Sequence, residues 1–364
     1  MAALVREDGR ADIKSLTLEQ LRAEMAGMGK ESFRAMQVYK WIWQRNASTF
    51  DEMTNISKAT REALDARFYI PTLTQHRVLN SQDGTKKFVW ELDDGSHIES
   101  VLIPDPGNGL NAPRMTLCMS SQVGCAMACS FCLTGDLGLK RHLRVSEIVG
   151  QALQVGATLP EGERITNLVF MGMGEPLHNI GNLVPALEIL LDENALNFSH
   201  RKVTVSTVGL VPQMEKLANA TPVNLAVSLN ATTNEQRVQI MPITKRYSLT
   251  QLMDACRALP LPHAKRITFE YVMMEGFNCS AEDAARLAKL MQGLRSKVNL
   301  IPYNENPNRD ILRPSDEKVD FFQHYLVSRG IQCSVRTTRG IDISAACGQL
   351  GKAAIGERIP EAVA

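Results

Sequence analysis

The hydrophobic pattern changes near residue 115, and the part of the chain beyond it carries the clearer prediction. Short apolar runs alternate there with longer stretches whose apolar residues recur at helical spacing. The runs predict strands over residues 115–119, 168–171, 203–206, 225–228, 267–273 and 298–301, and the longer stretches predict helices over residues 145–157, 183–192, 211–218, 249–259 and 281–294. Strand–helix units in series predict a parallel sheet, and six of them are too few to close an eight-stranded barrel. The predicted fold class is therefore α/β, with an open, partial (β/α)6 barrel.

The first part of the chain follows another pattern. Thr17 and Gln20 fit a capping box ahead of apolar residues at helical spacing, and two more amphipathic stretches cover residues 33–43 and 57–68. Three strand-like runs follow, and we expect a small N-terminal α+β accessory domain. The predicted strands cover residues 77–80, 86–92 and 97–103. The predicted domains are a helical part (1–75), a β-hairpin extension (76–110), the barrel (111–340) and a C-terminal segment (341–364).

Polar or glycine-rich residues directly follow most of the predicted barrel strands. The hexapeptide MGMGEP occupies residues 171–176, and Ser206, Ser228 and Asn304 stand at other strand ends. The C-terminal edge of a parallel barrel is where such folds bind ligands, so we expect a site at this rim. A further segment, residues 331–336, either covers the mouth of the barrel or extends the sheet.

Composition and charge change this picture little. The hydrophobic fraction is 44%, and no apolar run approaches the roughly 20 residues that span a bilayer. Because the first ten residues also lack the apolar core of a secretory signal, we expect a cytoplasmic protein without a membrane partner, and a monomer by default. The net charge of +1 neither favours nor excludes a nucleic-acid partner. Basic runs at residues 140–144, 200–202, 245–246 and 265–266 are solvated surface unless the fold gathers them at the barrel mouth.

The spacing of the cysteines points to a metal centre. Four of the eight cysteines lie within fifteen residues, namely Cys118, Cys125, Cys129 and Cys132, and the last three have the spacing C-x3-C-x2-C. Three thiolates on one loop suit three corners of a 4Fe-4S cluster, whose fourth iron is then open to an amine and a carboxylate, such as the methionine end of S-adenosylmethionine. The competing interpretation is a structural zinc site with Cys118 as fourth ligand, although no second C-x2-C pair is present.

Three motifs resemble one enzyme family. C-x3-C-x2-C with an aromatic residue before its last cysteine is the radical S-adenosylmethionine signature. Around it, TLCMSSQVGC (residues 116–125), MGMGEP (171–176) and AACGQL (345–350) are similar to motifs of the RNA adenine methyltransferases typified by RlmN and Cfr. This resemblance covers residues 16–352 and implies a radical S-adenosylmethionine barrel. It also implies one 4Fe-4S cluster held by Cys125, Cys129 and Cys132.

The resemblance implies a role for three further residues. Adenine carbons 2 and 8 are too electron-poor to attack a methyl group, so a radical route is needed. Cys347 would take a methyl group from a first S-adenosylmethionine, and a deoxyadenosyl radical from a second would abstract a hydrogen from that methyl group. After the carbon radical adds to the base, Cys118 would attack the sulfur of Cys347, release the product and leave a disulfide. Glu99 would accept the displaced proton.

Without the resemblance these three residues have ordinary interpretations: Cys347 as a small core residue, Cys118 as a strand residue facing the barrel interior, and Glu99 as a solvent-facing strand residue. The same holds for the seven residues that match cofactor contacts of the family. Gly174 would permit close approach of S-adenosylmethionine and Glu175 would accept from its ammonium group; the others are Ser206, Ser228, Leu229, Asn230 and Asn304. As strand-end residues they could instead cap the following helices.

The resemblance further implies the substrate and leaves alternatives open. The family acts on 23S rRNA at adenosine 2503 in the peptidyl-transferase centre, and its RlmN-type members also act on adenosine 37 of some tRNAs, with an electron donor such as flavodoxin. The stretches FRAMQV (33–38) and DEMT (51–54) resemble the RlmN type, which methylates carbon 2, whereas CLTGDLGLK (132–140) leans towards Cfr and carbon 8. A noncatalytic iron–sulfur RNA-binding protein of ribosome assembly is a third possibility, and it would leave the pair of Cys118 and Cys347 unexplained. The accessory domain is either a packing element or an RNA-docking module.

Overall fold

A computed structural model describes residues 6, 8–107, 112–262, 265–306 and 309–351 of the chain. The predicted C-terminal segment, residues 341–364, lies outside the described residues beyond Gly351. Residues 1–5 and 7 of the predicted helical part, and the predicted boundary between residues 110 and 111, also lie outside them.

Three helices and two short parallel strands form the N-terminal part. Its elements are β1 Ala11–Asp12, α1 Leu18–Gly27, α2 Ser32–Trp43, α3 Lys58–Arg67 and β2 Phe68–Tyr69. The first helix begins at the predicted capping box, in which the Thr17 hydroxyl accepts from Gln20 N–H and the Gln20 side chain accepts from Thr17 N–H. Met25, Val38 and Leu64 are fully buried and belong to the same core cluster as the barrel.

The predicted hairpin extension is a three-stranded antiparallel meander. It consists of β3 Thr74–Asn80, β4 Lys86–Glu91 and β5 His97–Asp105. The last of these strands pairs antiparallel with the first barrel strand, β6 Arg114–Cys118. The meander therefore continues the barrel sheet, and the division of the chain into domains stays a prediction.

The rest of the chain alternates strands and helices as predicted. The further strands are β7 Gln122–Gly124, β8 Leu139–His142, β9 Asn167–Phe170, β10 Val203–Thr207, β11 Asn224–Ser228, β12 Ile267–Met273, β13 Ser296–Pro302 and β14 Cys333–Val335. The further helices are α4 Leu133–Asp136, α5 Val145–Ala157, α6 Ile180–Leu191, α7 Val211–Ala220, α8 Asn234–Ile240, α9 Leu249–Ala258, α10 Ala281–Met291 and α11 Asp316–Val327, with short 3-10 turns at Ile13–Ser15, Pro176–Asn179, His200–Lys202 and Pro242–Lys245.

All six predicted barrel strands are present and parallel, in the order β6-β9-β10-β11-β12-β13. The fold class predicted from the alternation, α/β with a partial (β/α)6 barrel, is confirmed. β14 pairs in parallel with β13, so the segment 331–336 extends the sheet rather than covering the mouth. The complete sheet has ten strands, from β14 at one edge to β3 at the other. A separate antiparallel hairpin, β7 and β8, stands beside it.

The core lies between this sheet and its helices. For example, α6 buries Leu183, Leu187 and Leu190 completely, at positions that share one helix face. Burial of each such leucine stabilises the fold by roughly 1.5–3 kcal/mol. None of the helices in the described ranges combines the length and the apolar character needed to cross a membrane.

Candidate active site

Two cavities open at the C-terminal edge of the parallel strands. The first, which we call the cysteine cavity, is lined by Cys125, Cys129 and Cys132 together with strand-end residues. The second, the arginine cavity, is lined by Cys118 and by three arginines, Arg114, Arg336 and Arg339. Five residues line both cavities, namely Met171, Ile301, Asn304, Arg336 and Cys347. The predicted site at the rim is thus a pair of adjoining cavities.

The hairpin of β7 and β8 holds the start of the cysteine loop. Gly124, the last residue of β7, has φ of +74°, and a Cβ atom there would lie only 1.8 Å from the carbonyl oxygen of Gly138. Cys125 N–H donates to this same carbonyl at 2.8 Å. At the other end of the loop, Cys132 N–H donates to the carbonyl of Cys129 at 3.1 Å. The loop is therefore fixed by a backbone contact that only glycine permits.

The donor set fits a cluster better than a single metal ion. Zinc would gather three sulfur ligands to about 3.8 Å from one another, since each Zn–S bond is about 2.3 Å. The three loop cysteines belong to the described residues, and at least two of their sulfur atoms lie more than 4.8 Å apart. This spacing is too wide for one zinc ion but suits three separate corners of a cubane. Burial raises the pKa of Cys125 to about 12 and that of Cys129 well above its ordinary value. Such thiols become thiolates at neutral pH when a metal binds them.

The MGMGEP segment ends β9 under tight backbone constraints. Gly174 has φ of +97°, and a Cβ atom there would lie 2.5 Å from the Cβ of Gln122, so packing alone demands glycine at this position. Glu175 is buried and lines the cysteine cavity. Its carboxylate accepts from Leu177 N–H at 3.1 Å and Val208 N–H at 2.9 Å. Burial raises the pKa of Glu175 to about 7.

Four of the other predicted cofactor residues line the cysteine cavity: Ser206, Ser228, Asn230 and Asn304. None of them caps a described helix, because the caps that accept from helix N–H groups after these strands are Thr233, Ser248, Ser280 and Ser315. Leu229 differs, since its side chain is fully buried in the core and lines neither cavity. Leu229 directly follows the last residue of β11, and its side chain packs into the hydrophobic core instead of the cavity.

Hydrogen bonds hold the segment around Cys347 against the cysteine loop. The Asn304 amide donates to the carbonyl of Cys347 at 3.1 Å, and its oxygen accepts from the Thr338 hydroxyl at 2.9 Å. Leu133 N–H donates to the carbonyl of Gly348 at 2.8 Å. The Thr134 hydroxyl donates to the carbonyl of Leu350 at 2.8 Å. These bonds place Cys347 on the boundary between the two cavities.

Cys118 and Cys347 share one cationic neighbour. Cys118, the last residue of β6, is buried and lines the arginine cavity. Burial and, to a smaller extent, the nearby Cys347 raise the pKa of Cys118 to about 12, although Arg336 opposes this shift. The pKa of Arg336 is itself raised, mainly by Cys347. The two thiols and this guanidinium therefore interact electrostatically. The sequence analysis did not identify Arg336 as a site residue.

Glu99 lies on the sheet near Cys118 but lines neither of the two cavities described above. The register pairs Val101 with Cys118, and Glu99 stands two residues along β5 on the same face. It is fully buried, so the solvent-facing interpretation is wrong. Its carboxylate is 3.4 Å from Nζ of Lys87, and the same Nζ donates to the carbonyl of Ser344 at 3.1 Å. The sequence analysis missed Lys87, which joins Glu99 to the segment of Cys347; the role of Glu99 as proton acceptor stays a prediction.

Comparison with known proteins identifies the family. A model described as "Ribosomal RNA large subunit methyltransferase N-terminal domain" matches residues 11–70, and the radical SAM superfamily model matches residues 119–288. A "Dual-specificity RNA methyltransferase RlmN" from Pelobacter propionicus is 52% identical over 342 residues, which cover 94% of this chain and 96% of that protein. The chain belongs to the RlmN family of radical SAM methyltransferases. The resemblance stated from the motifs is thereby confirmed, and enzymes of this superfamily use S-adenosylmethionine and a 4Fe-4S cluster.

Other RlmN relatives agree over the same length. The protein of the same name from Geobacter sulfurreducens is 49% identical, and the match covers 94% of this chain and 92% of that protein. A crystal structure of a radical SAM methyltransferase from Sphaerobacter thermophilus superposes with a TM-score of 0.86 at 42% identity. That match covers 93% of this chain and 98% of the other. The similarity therefore includes both the N-terminal part and the barrel.

The basic residues at the mouth of this RlmN-family barrel are not the predicted runs. Residues 200–202 and 265–266 directly precede β10 and β12, so they lie at the strand edge opposite the cavities. In the run 140–144, Arg141 pairs with Asp94 and Glu147, each at 2.8 Å. Residues of the four basic runs line neither cavity, so the interpretation of these runs as solvated surface stands. The mouth instead carries the isolated arginines of the arginine cavity, which come together only through the fold.

Proposed function

We propose that this chain methylates carbon 2 of an adenosine in RNA and that Cys347 carries the methyl group between the two cavities. One observation carries the proposal: Cys347 lines both the cavity of Cys125, Cys129 and Cys132 and the cavity of Cys118. The printed names of its relatives, together with the match to a ribosomal RNA methyltransferase domain, support 23S rRNA and tRNA as substrates. The target positions that we propose are adenosine 2503 of 23S rRNA and adenosine 37 of tRNA.

The cysteine cavity would hold the cofactors. Cys125, Cys129 and Cys132 would ligate the 4Fe-4S cluster. Gly174, Glu175, Ser206, Ser228, Asn230 and Asn304 would bind S-adenosylmethionine, with Leu229 contributing through its backbone. When bound, these two groups supply a methyl group and a one-electron route to a carbon radical. Phe170, Val272 and Ile301 line the same cavity and would exclude water from a reactive radical.

The chain's own thiols would perform the transfer steps. The sulfur of Cys347 would form a bond to the methyl carbon by displacement, which requires its thiolate, and Arg336 lies close enough to stabilise that charge. After the methylene carbon has bonded to the ring carbon, the adduct would give up the ring proton and one electron, which the oxidised cluster would accept. The Cys118 thiolate would then attack Cys347 Sγ. A disulfide would form as the carbon–sulfur bond to the base breaks, and the carbon that keeps this electron pair would take up a proton to become the methyl group. Glu99 would take up the proton displaced from the ring carbon.

The arginine cavity would admit the RNA. Arg114 and Arg339 line it together with the hydroxyl-bearing residues Thr337 and Thr338, a set suited to phosphate and sugar contacts. An adenine can reach Cys347 there only if it is unstacked or already lies in a loop. The proposal also includes two molecules of S-adenosylmethionine per turnover, a flavodoxin-type electron donor, a monomeric chain and a cytoplasmic location.

Mass spectrometry of nucleosides tests the function. Protein-free 23S rRNA would be treated anaerobically with cluster-loaded enzyme, reductant and methyl-labelled S-adenosylmethionine, with enzyme lacking its cluster as control. We expect labelled 2-methyladenosine. Labelled 8-methyladenosine would move the chain to the Cfr type, which the tract 132–140 resembles. No labelled adenosine from cluster-loaded enzyme would overturn the substrate assignment and leave only the radical chemistry.

A further inference from the structure

One group of side chains outside the two cavities has the geometry of a metal site. Among the described residues, His76, Glu91 and His97 each offer one ligand atom, and these three atoms all lie within 4.8 Å of one another. Nδ1 of His76 is 3.8 Å from a carboxylate oxygen of Glu91. The imidazole rings of His76 and His97 meet edge to face, with centroids 4.7 Å apart. Ligands around one zinc ion stand about 3.4 Å apart, so small side-chain rotations would complete the site.

The strand register brings these residues together. Glu91 on β4 is directly opposite His97 on β5, so both side chains occupy the same face. The pairing of β3 with β4 is shifted between Gln75 and Arg77, and His76 is the extra residue of this bulge. A β-bulge re-aims a side chain, and here it directs His76 towards the other two. Positions 76, 91 and 97 form no recognisable spacing motif, which is why the sequence does not reveal them.

A second observation independently points to a ligand. Nε2 of His97 is inaccessible to solvent and has no hydrogen-bond partner within the part of the chain that the structure describes. Buried polar atoms are nearly always partnered, and a metal ion would satisfy this nitrogen. The side chains of His76 and Glu91 are 52% and 46% exposed. The site is therefore closed on the His97 side and open to a water ligand on the other.

We propose that His76, Glu91 and His97 bind a divalent transition-metal ion, with Zn²⁺ as the best match. Two imidazoles and one carboxylate suit zinc, whereas calcium and magnesium prefer all-oxygen sites. The ion would join the three strands of the meander, whose outer strand β3 is the free edge of the sheet. His97 stands two residues before Glu99 on the same face of β5, so the ion would also brace the strand that carries Glu99.

Zinc binding to the full-length, cluster-loaded enzyme tests the proposal. Equilibrium dialysis against Zn²⁺, followed by metal analysis, should show one zinc per chain in addition to the iron of the cluster. X-ray absorption at the zinc edge should show nitrogen and oxygen ligands and no sulfur. His76→Ala and His97→Ala should each weaken zinc binding by at least about tenfold. His324→Ala is the matched control, because His324 is exposed on α11 next to β13 and β14, far along the sheet from β3.

Unfolding gives a second readout. Zinc should raise the Tm of the wild type and of His324→Ala by a few degrees, because a ligand that binds only the folded state stabilises it, and should leave both meander variants unchanged. Iron content identical to that of the wild type would show that the variants fold. The proposal would be overturned if the wild type took up no zinc, if the zinc had sulfur ligands, or if both meander variants took up as much zinc as the wild type. His76 and Glu91 would then form an exposed ion pair only.

Discussion

The cysteine cavity and the arginine cavity adjoin each other, but the chain builds them in different ways. The cysteine cavity is lined by one loop, residues 125–135, and by the ends of five successive barrel strands, with glycine at the tightest contacts. The arginine cavity is lined mainly by two stretches that are far apart along the chain, residues 103–118 and 335–350. The cysteines of both cavities lie in short motifs, whereas the three arginines of the proposed RNA side belong to no motif and come together only in the folded protein.

Cys347 belongs to both cavities, and its position depends on the bonds between them. Asn304, just after β13, donates a hydrogen bond to the backbone of Cys347. Leu133 and Thr134 bind the backbone of the residues that follow Cys347. Variants that affect one cavity, the other, or the connection between them should therefore differ in which step they stop.

The largest effect is expected at the shared residue. Cys347→Ala should reduce RNA methylation by at least about a thousandfold, because no other thiol can take its place as carrier. RNA affinity and iron content should stay unchanged, since neither depends on that sulfur. Cys333→Ala, at a cysteine that lines neither cavity, is the control and should retain activity. Methylation by Cys347→Ala at a measurable fraction of the wild-type rate would contradict the carrier role.

A glycine pair tests the cysteine cavity alone. Gly124 and Gly138 both have positive φ, at +74° and +60°, but a Cβ atom would clash only at Gly124. Gly124→Ala should therefore abolish stable cluster binding, whereas Gly138→Ala should cost only about 1–2 kcal/mol of stability and keep the cluster. Iron analysis and RNA binding measure the two cavities separately. Equal iron content in the two variants would show that the contact with Gly138 does not hold the loop.

Asn304 tests the connection between the cavities. Asn304→Asp keeps the acceptor for the Thr338 hydroxyl but loses the donor to the carbonyl of Cys347. Loss of such a hydrogen bond costs about 1 kcal/mol, so the rate at which Cys347 acquires a labelled methyl group should fall roughly fivefold or more. Thr338→Val removes only the other bond and should have the smaller effect. If both variants methylate Cys347 at the wild-type rate, the bond does not position the thiol.

The smallest effect is expected at Asp83, which binds the backbone of Gly340 ahead of Cys347. Asp83 accepts from Gly340 N–H at 2.9 Å. Burial alone would raise the pKa of Asp83, but hydrogen bonds from Gly340 and Thr85 outweigh it and lower the pKa from 3.8 to about 2. A carboxyl group with a lower pKa in the folded state stabilises it above the unfolded pKa and loses this contribution as the pH falls towards 2.

Urea unfolding at several pH values would measure this contribution. The wild type should exceed Asp83→Asn in stability by a small, constant amount between about pH 5 and 8, and the difference should shrink as the pH falls below 3.8 towards 2. A difference that persists unchanged near pH 2, or that grows as the pH falls, would contradict the assigned pKa.

The alternation of strands and helices could be predicted because each buried barrel strand leaves a short apolar run. Ile267–Met273 and Val145–Ala157 agree with the prediction to the residue. The hairpin of β7 and β8 was missed because its strands have only three and four residues and one is basic. α11 was missed too, and it exposes Phe321 and Val327, so its apolar residues do not mark a single face.

The chemistry of the site was predictable where it is local. The spacing of the three loop cysteines and the glycines of MGMGEP identify the cysteine cavity. Lys87 and Arg336 could not be found in this way, because their partners lie on other strands or in distant segments of the chain and neither residue belongs to a motif. Leu229 shows the converse, since a matching sequence position does not reveal whether its side chain lines the cavity or packs into the core.

The most direct test of the carrier account is the product that Cys118→Ala forms with RNA. The variant, loaded with cluster, would react anaerobically with RNA and methyl-labelled S-adenosylmethionine, and nuclease and protease digestion would precede mass spectrometry. Our account predicts a labelled adduct in which a methylene group joins an adenosine to Cys347, because the thiol that should release the base is absent. Free methylated RNA formed at the wild-type rate, with no nucleotide on Cys347, would contradict it.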